Sequence, residues 1–333
     1  MNRTIIIDSV NKLLNCKDDF KQMKESTYQL YQIFSHITGI TIDDFNRDKD
    51  IMLPEGKAIS SMAAAHCLLE MKRTAVFVRG IQKAIIQKIN QREENPIRIL
   101  YAGTGPYGTL IIPLLLLHKP EEICVDLIDI NPQSLNALKK ITNALGLNKY
   151  IGNSYCLNAA TFTCTRQYDI AISETMQSCL KKEPQVAIMQ NLIPQLKKEA
   201  IFIPEEISID AVLTNPRMEM DRLLSRLGFD INCERICIGN IFKVNKDNLQ
   251  TELMQKAIEI PEDRDKFPIL KLFTTVKVFE DEILGENDSS ITMPIKFYNF
   301  RENESITHIR FWYTQGDNPK IESEMVKQHE MVL

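Results

Sequence analysis

The chain has 333 residues, 44% of them hydrophobic and 25% charged, with a formal net charge of −4. That length suggests two domains and supplies ample apolar material for a core. A mildly acidic balance without a long basic run excludes bulk attraction to nucleic acid or an anionic membrane surface, so neither is expected as a partner.

The eight cysteines (Cys16, Cys67, Cys124, Cys156, Cys164, Cys179, Cys233 and Cys237) are scattered, and several lie in apolar runs where a reduced thiol packs as a small hydrophobe. Cys233 and Cys237 are the nearest pair, but no second pair stands at ligand spacing, so no metal site is expected. With no secretory signal and no apolar run near the ~20 residues of a membrane span, the expected location is cytoplasmic.

In chain order, residues 5–89 read as mostly helical. Val10, Leu13 and Leu14, then Tyr28, Tyr31, Phe34 and Ile37, recur at helical spacing, with Gly39 as a stop. Residues 41–56 are polar around Pro54 and read as a loop. From an N-cap at Ser60 or Ser61, one long helical pattern continues through Ala64, Leu68, Met71, Val76, Val78, Ile81 and Ile85.

Between 97 and 203, strands at 99–102, 124–129, 154–157, 168–173 and 200–203 alternate with helical patterns at 108–117, 133–145 and 184–196. This alternation calls for a parallel sheet covered by helices, with ligands at the carboxyl ends of its strands. The glycine turn at 103–108, Asp129, Asn158 and Ser173-Glu174 all fall at that edge. After Pro204, runs at 207–213, 234–244, 269–279, 291–297 and 306–313 read as strands of an antiparallel sheet or barrel, and 218–227 and 253–258 as helices. The expected organisation is a helical region over 1–95, a nucleotide-binding domain over 96–204 and an antiparallel β domain over 205–333.

The chemistry concentrates in two stretches. In the first, Gly103-Thr104-Gly105-Pro106-Tyr107-Gly108 follows an apolar strand, and the next strand ends on Asp129. Glycines let the backbone approach a ligand closely, and an acid at the end of the following strand can accept both ribose hydroxyls. Nicotinamide dinucleotides and S-adenosylmethionine both suit such a half-site. Pro106 favours the latter, because it removes a backbone donor that would serve a pyrophosphate. Asn158 reads either as an adenine contact or as a solvated turn residue. In the second stretch, YDIAISETMQSCLKKE, a strand delivers Glu174 and the chain returns nine residues later with Glu183. Two carboxylates on one loop match the donor fork of a planar guanidinium.

Ser173-Glu174-Thr175-Met176, followed by Leu180 and Glu183, resembles the double-glutamate loop of the protein arginine methyltransferases. Pro204 in AIFIPEEI resembles that family's passage into its β-barrel, and Leu69, Met71, Arg73-Thr74 and Phe77 are similar to its N-terminal helix. The resemblance implies an α/β fold: a Rossmann-like class I methyltransferase domain with an N-terminal helical region and a C-terminal antiparallel β-barrel-like domain. It implies S-adenosyl-L-methionine as cofactor, with Arg73 on its carboxylate, Gly103 and Gly105 along the methionine moiety and Asp129 on the ribose. Thr104, Asn158, Ala159 and Met176 complete the expected cofactor contacts, and Glu174 and Glu183 would grip the guanidinium.

This chain departs from the family pattern at Tyr101, where an acid is usual, and at Gln177-Ser178, which replaces a Gly-Tyr pair. Thr307-His308-Ile309 echoes the family's Thr-His-Trp loop, which makes His308 a third catalytic candidate. A long helical start and a short barrel fit a closed pocket, so the expected substrate is a small guanidino molecule such as free arginine. Protein arginine methylation is the alternative; a nicotinamide-dependent oxidoreductase and a non-catalytic S-adenosylmethionine-binding protein stand outside that chemistry. The resemblance also allows a homodimer, through the helical region or through residues 218–227.

Overall fold

The structure, a computed structural model, describes residues 2–42, 49–91, 96–225, 234–249, 256–300 and 306–327. Two amphipathic helices open it, α1 (Asn2–Asn15) and α2 (Phe20–Thr38), burying Ile6, Val10 and Leu13 on the first and Met23, Leu30 and Phe34 on the second. Asp19 caps α2 by accepting from the Gln22 N–H at 3.0 Å, and Gly39, at φ 77°, ends it in the left-handed conformation.

The expected loop gives way at its end to a hairpin, β1 (Ile51–Leu53) and β2 (Gly56–Ala58), joined by Pro54 and Glu55. Strands of three residues carry too little periodicity to be read from the sequence. The single long helix expected from Ser60 is two: α3 (Ser61–Cys67), capped by Ser60 accepting from the Ala63 N–H at 3.2 Å, and α4 (Met71–Gln91). The corner between them holds neither Gly nor Pro, so the apolar spacing runs on unbroken across it. Thr74 secures that corner by donating to the Leu68 carbonyl at 3.0 Å.

A five-stranded sheet follows, built from β3 (Ile97–Ala102), β4 (Ile123–Ile128), β5 (Ile151–Tyr155), β6 (Ile170–Ser173) and β7 (Ile201–Ile203). All its pairings are parallel, in the order β5-β4-β3-β6-β7. The connecting helices are α5 (Ile112–Leu115), α6 (Pro132–Ala144) and α7 (Gln185–Leu192). Two are shorter than expected. Gly108, at φ 56°, begins a run of turns before α5, and Pro194, which cannot continue an α-helix, sits in a 3-10 turn after α7.

The remaining strands are antiparallel: β8 (Glu206–Thr214), β9 (Ile236–Asn245), β10 (Lys256–Glu259), β11 (Ile269–Phe279), β12 (Glu282–Leu284), β13 (Ile295–Asn299), β14 (Ile306–Thr314) and β15 (Lys320–Lys327). β11 pairs with β8 on one side and with β12 and β13 on the other, and β9 flanks β8. β10, β14 and β15 make a second sheet, which meets the first through Phe242 against Tyr313 (ring centroids 4.9 Å apart) and Phe297 against Phe311 (5.6 Å).

β12 and β15 escaped the sequence reading. The helix expected at 253–258 is corrected to strand over Lys256–Glu259, where pairing with β14 overrides a short polar pattern; residues 253–255 lie outside the described residues, as does Cys233. The strand expected from 291 begins at Ile295, after a 3-10 turn at Ser290–Thr292.

α8 (Pro216–Ser225) occupies the expected 218–227 segment as far as 225, beyond which the chain is outside the described residues. Arg235 locks it to the sheet by pairing with Glu219 at 2.6 Å and Glu286 at 2.8 Å. α4 lies against β11 so closely at Gly80 that a Cβ there would stand 2.7 Å from Val278 Cγ1. Among the described residues no helix is long and apolar enough to cross a membrane.

Candidate active site

The order of the parallel sheet reverses between β3 and β6: the chain builds outward from β3 to β5, then returns to lay β6 on β3's other side. Loops leaving the carboxyl ends of adjacent strands on either side of such a point diverge and open a crevice. Here β3 delivers Gly103, β4 delivers Asp129 and β6 delivers Glu174. They line one cavity of about 710 Å³, together with Arg73, Thr104, Gly105, Asn158, Ala159, Met176 and Glu183. Every expected site residue except His308 is therefore brought together.

Asp129 is the fixed point of the cavity's nucleotide end. It accepts from the Gly105 N–H and the Asn131 N–H, both at 2.8 Å, and from Thr104 Oγ1 at 3.3 Å. Burial pushes its pKa up, and the three donors work against that rise. Gly105, at φ 60°, allows this geometry, and a Cβ there would stand 3.3 Å from Ala64 on α3. Tyr107, next in the turn, is buried against Tyr31 and Phe34 and donates to the Ile40 carbonyl at 2.7 Å, so α2 buttresses the turn. Asn158 borders the cavity in a side-chain turn: its Oδ1 accepts from the Ala160 N–H and its Nδ2 donates to Glu55, each at 2.9 Å.

The double-glutamate loop is held in an unusual conformation. Cys179, Leu180 and Lys182 all have positive φ (58°, 53° and 68°), which costs non-glycine residues about 1–3 kcal/mol each unless the surroundings enforce it. The enforcement comes from the antiparallel part: Tyr313 Oη donates to the Leu180 carbonyl at 2.9 Å, Thr274 Oγ1 accepts from the Cys179 N–H at 2.9 Å, and the Lys182 N–H donates to Pro319 at 2.7 Å. The loop thereby presents Glu183, 6% exposed, with its Oε1 accepting from Gln177 Nε2 at 2.8 Å. Burial raises the Glu183 pKa, while Gln177 and the nearby cations oppose the rise. Gln177, a departure from the family pattern, thus orients one of the two acids.

Glu174 is buried as well, with its side chain 7% exposed. Its Oε2 accepts from Arg73, which also donates to Glu70 at 3.1 Å. Its Oε1 is buried without a hydrogen-bond partner among the described residues. An acceptor in that state carries an unbalanced desolvation cost, which a donor arriving in the cavity removes.

The cover comes from both ends of the chain. β2 lies on the loop, its Lys57 N–H donating to the Lys182 carbonyl at 2.6 Å. From the other side, Ser290 donates to Glu70 through its N–H at 2.8 Å and its Oγ at 2.6 Å, and Ser178 Oγ donates to the Met293 carbonyl at 2.6 Å. Glu70, Lys57 and Ser290 were not foreseen. Pro54-Glu55-Gly56 after the apolar triplet Ile51-Met52-Leu53 is a turn signal at the first cover; nothing local marks Glu70 or Ser290.

His308 is corrected as a site residue. It stands in register between Glu259 of β10 and Val326 of β15, outside the cavity lining, because Thr307-His308-Ile309 is mid-sheet strand rather than a loop.

The parallel sheet with its switch-point cavity, joined to antiparallel strands, is the class I methyltransferase fold in the form seen in protein arginine methyltransferases. The chain is similar to PRMT6, with 10% identity over 79% of this chain and 99% of that one, at a TM-score of 0.53. It is also similar to PRMT1 of Trypanosoma brucei, solved as an enzyme-prozyme heterotetrameric complex with AdoHcy, with 13% identity over 81% of this chain and 95% of that one, at a TM-score of 0.50. No family model and no curated protein matches the sequence.

Proposed function

We propose that this protein is an S-adenosylmethionine-dependent N-methyltransferase acting on a guanidino nitrogen of a small molecule, free arginine or a related compound, with S-adenosylhomocysteine as product. The observation that carries this reading is the pair of buried carboxylates, Glu174 and Glu183, in one cavity with the glycine turn and Asp129. Buried acids are costly unless a cation or donors compensate them, and the partnerless Oε1 of Glu174 still lacks a donor among the described residues.

The residues present suit the cofactor. Asp129 is pre-oriented for a ribose, Pro106 offers no N–H to a phosphate, and Gly103 and Gly105 line the cavity, the Cβ positions they lack being filled by Thr175 and Ala64. Arg73 is the cation for the amino-acid carboxylate, and Ala159 and Asn158 border the base. When bound, the cofactor supplies an electrophilic methyl group. The chain's own contribution is positional: Glu174 and Glu183 hold the guanidinium planar and directed, Gln177 fixes Glu183, and Met176, 3% exposed, helps exclude water. Holding a nucleophile at attack distance can lower a barrier by about 7–11 kcal/mol. Once the guanidinium nitrogen carries a methyl group, one of the two carboxylates would accept the proton that this nitrogen gives up, and both would stabilise the methylguanidinium.

In this reading residues 1–95 cap the site, 96–204 hold the cofactor and 205–333 brace the substrate loop. The hairpin and the Ser290–Met293 segment close over that loop, which favours a small substrate. Methylation of arginine within a protein is the second reading, favoured by the fold shared with PRMT6 and PRMT1. A homodimer belongs to either reading, with Met220 on α8 exposed, and sedimentation would detect it.

The test offers S-adenosylmethionine with a labelled methyl to the purified protein, with free arginine and an arginine-rich peptide in separate reactions and products read by mass. Label on arginine alone supports the first reading, and label on the peptide alone supports the second. Glu183→Gln should lower turnover by about a hundredfold or more, the order lost with one preorganised electrostatic partner, and leave S-adenosylhomocysteine affinity unchanged. Equal loss of both would sink the assigned role.

A further inference from the structure

We infer that Lys181 reads a carboxylate on the substrate, so that the protein selects a guanidino acid over a guanidine whose far end is neutral or cationic. This rests on the guanidine-methylating reading above and names its substrate class.

Among the described residues, three side-chain cations line the cavity: Lys57, Arg73 and Lys181. Lys57 is committed to Asp50 at 2.6 Å, and the other oxygen of Asp50 accepts from the Ser60 N–H at 2.9 Å. Arg73 is paired with Glu70 and Glu174 and, in the reading above, also takes the cofactor's carboxylate. Lys181 alone of the three has no ion pair and no side-chain hydrogen bond among the described residues. A substrate that brings only a guanidinium uses the acids and leaves this ammonium uncompensated beside it.

The position of Lys181 is built rather than incidental. The residues on either side are pinned, Leu180 by Tyr313 and Lys182 by Pro319 on one hand and by Lys57 of the hairpin on the other. Lys181 itself is extended, at φ −84° and ψ 147°. Glu183 follows two residues later, so the two Cα atoms stand no more than ~7 Å apart. One short loop therefore places an ammonium and a carboxylate on the wall of the same cavity, at a separation that a short alkyl chain between a guanidinium and a carboxylate can span. Free arginine has that form. A substrate with a second positive group at its far end meets Lys181 as a like charge, which disfavours it.

The experiment compares arginine with agmatine, which is arginine without its carboxylate, using the full-length protein with S-adenosylmethionine and steady-state kinetics. The wild type should prefer arginine in kcat/KM by about 10- to 150-fold, the worth of one charge-assisted hydrogen bond. Lys181→Ala should collapse that ratio through the KM for arginine, Lys181→Glu should turn it toward agmatine, and Lys181→Arg should restore much of it. Equal use of both substrates by the wild type, or an equal loss on both in Lys181→Ala, overturns the inference and leaves the methyltransferase reading standing. Label on neither substrate overturns the small-molecule reading together with the inference.

Discussion

Gly56→Ala tests whether the hairpin is the working cover of the substrate loop. Gly56 opens β2 at φ 135°, where side chains other than hydrogen are rarely found, and its added Cβ would lie 2.8 Å from the Lys182 carbonyl oxygen and 3.1 Å from both Glu183 C and Pro184 N. All three obstacles are backbone, so no side-chain rotation relieves them. Backbone strain of this kind costs about 1–3 kcal/mol, and crowding in a packed contact adds about 1–3 kcal/mol. The hairpin strands are three residues long and yield before the parallel sheet does, so the cost should appear as a lowering of the local opening free energy by about 2–6 kcal/mol. At 1.4 kcal/mol per tenfold, that is a loss of about 30- to 20,000-fold in hydrogen-exchange protection at the Lys57 amide. Protection at Ile99 in β3 should hold, KM for the guanidine should rise, and S-adenosylhomocysteine affinity should not change. Unchanged exchange at Lys57, or an equal loss at Ile99, would refute the reasoning.

Asp129→Ala removes the acceptor for the Gly105 and Asn131 N–H groups as well as the proposed ribose contact. Calorimetry with S-adenosylhomocysteine should show a loss of at least about tenfold, the worth of one hydrogen bond to a charged group. Burial holds the Glu183 pKa above the ordinary carboxylate value in the folded protein. The folded state then binds more protons than the unfolded state between those two values, so this group costs stability that grows as pH rises through that window and is fully present above it. Glu183→Gln should therefore melt higher than the wild type at neutral pH without ligand, with the gap closing in acid; thermal scans across that range check it, and a lower melting temperature at neutral pH would count against the assignment. In the wild type, kcat/KM for the guanidine should fall on acidification as Glu183 protonates, at a higher pH than a solvated carboxylate would show.

Much of the site was legible because strands and loops put it close to its own sequence. An apolar run ends and the next residue lines the cavity: Gly103 after β3, Asp129 after β4, Glu174 after β6. The spacing of Glu183 from Glu174 is a property of one loop, so a short stretch of sequence carries both acids. Periodicity likewise revealed α1, α2, α6 and the strands β3, β4, β6 and β7, since each buries a continuous stripe or run, whereas β5, with no continuous buried run, begins three residues before its expected 154–157. It failed for β1, β2, β10 and β12, which are too short to show a period, and at the α3–α4 corner, where the period never breaks.

What only the tertiary structure decided is how distant groups meet. Arg73 reaches Glu174 across 101 residues and Ser290 reaches Glu70 across 220. The left-handed backbone of Cys179, Leu180 and Lys182 exists because Thr274, Tyr313 and Pro319 hold it there. The exclusion of His308 likewise follows from β10 and β15 pairing on either side of β14. No local pattern encodes such contacts, because they depend on the packing of whole sheets. The sequence by itself singled out the residues proposed to bind a nucleotide and a cation; the packing decided which of them share one cavity and which are already paired, and it leaves Lys181 without an ion pair among the described residues.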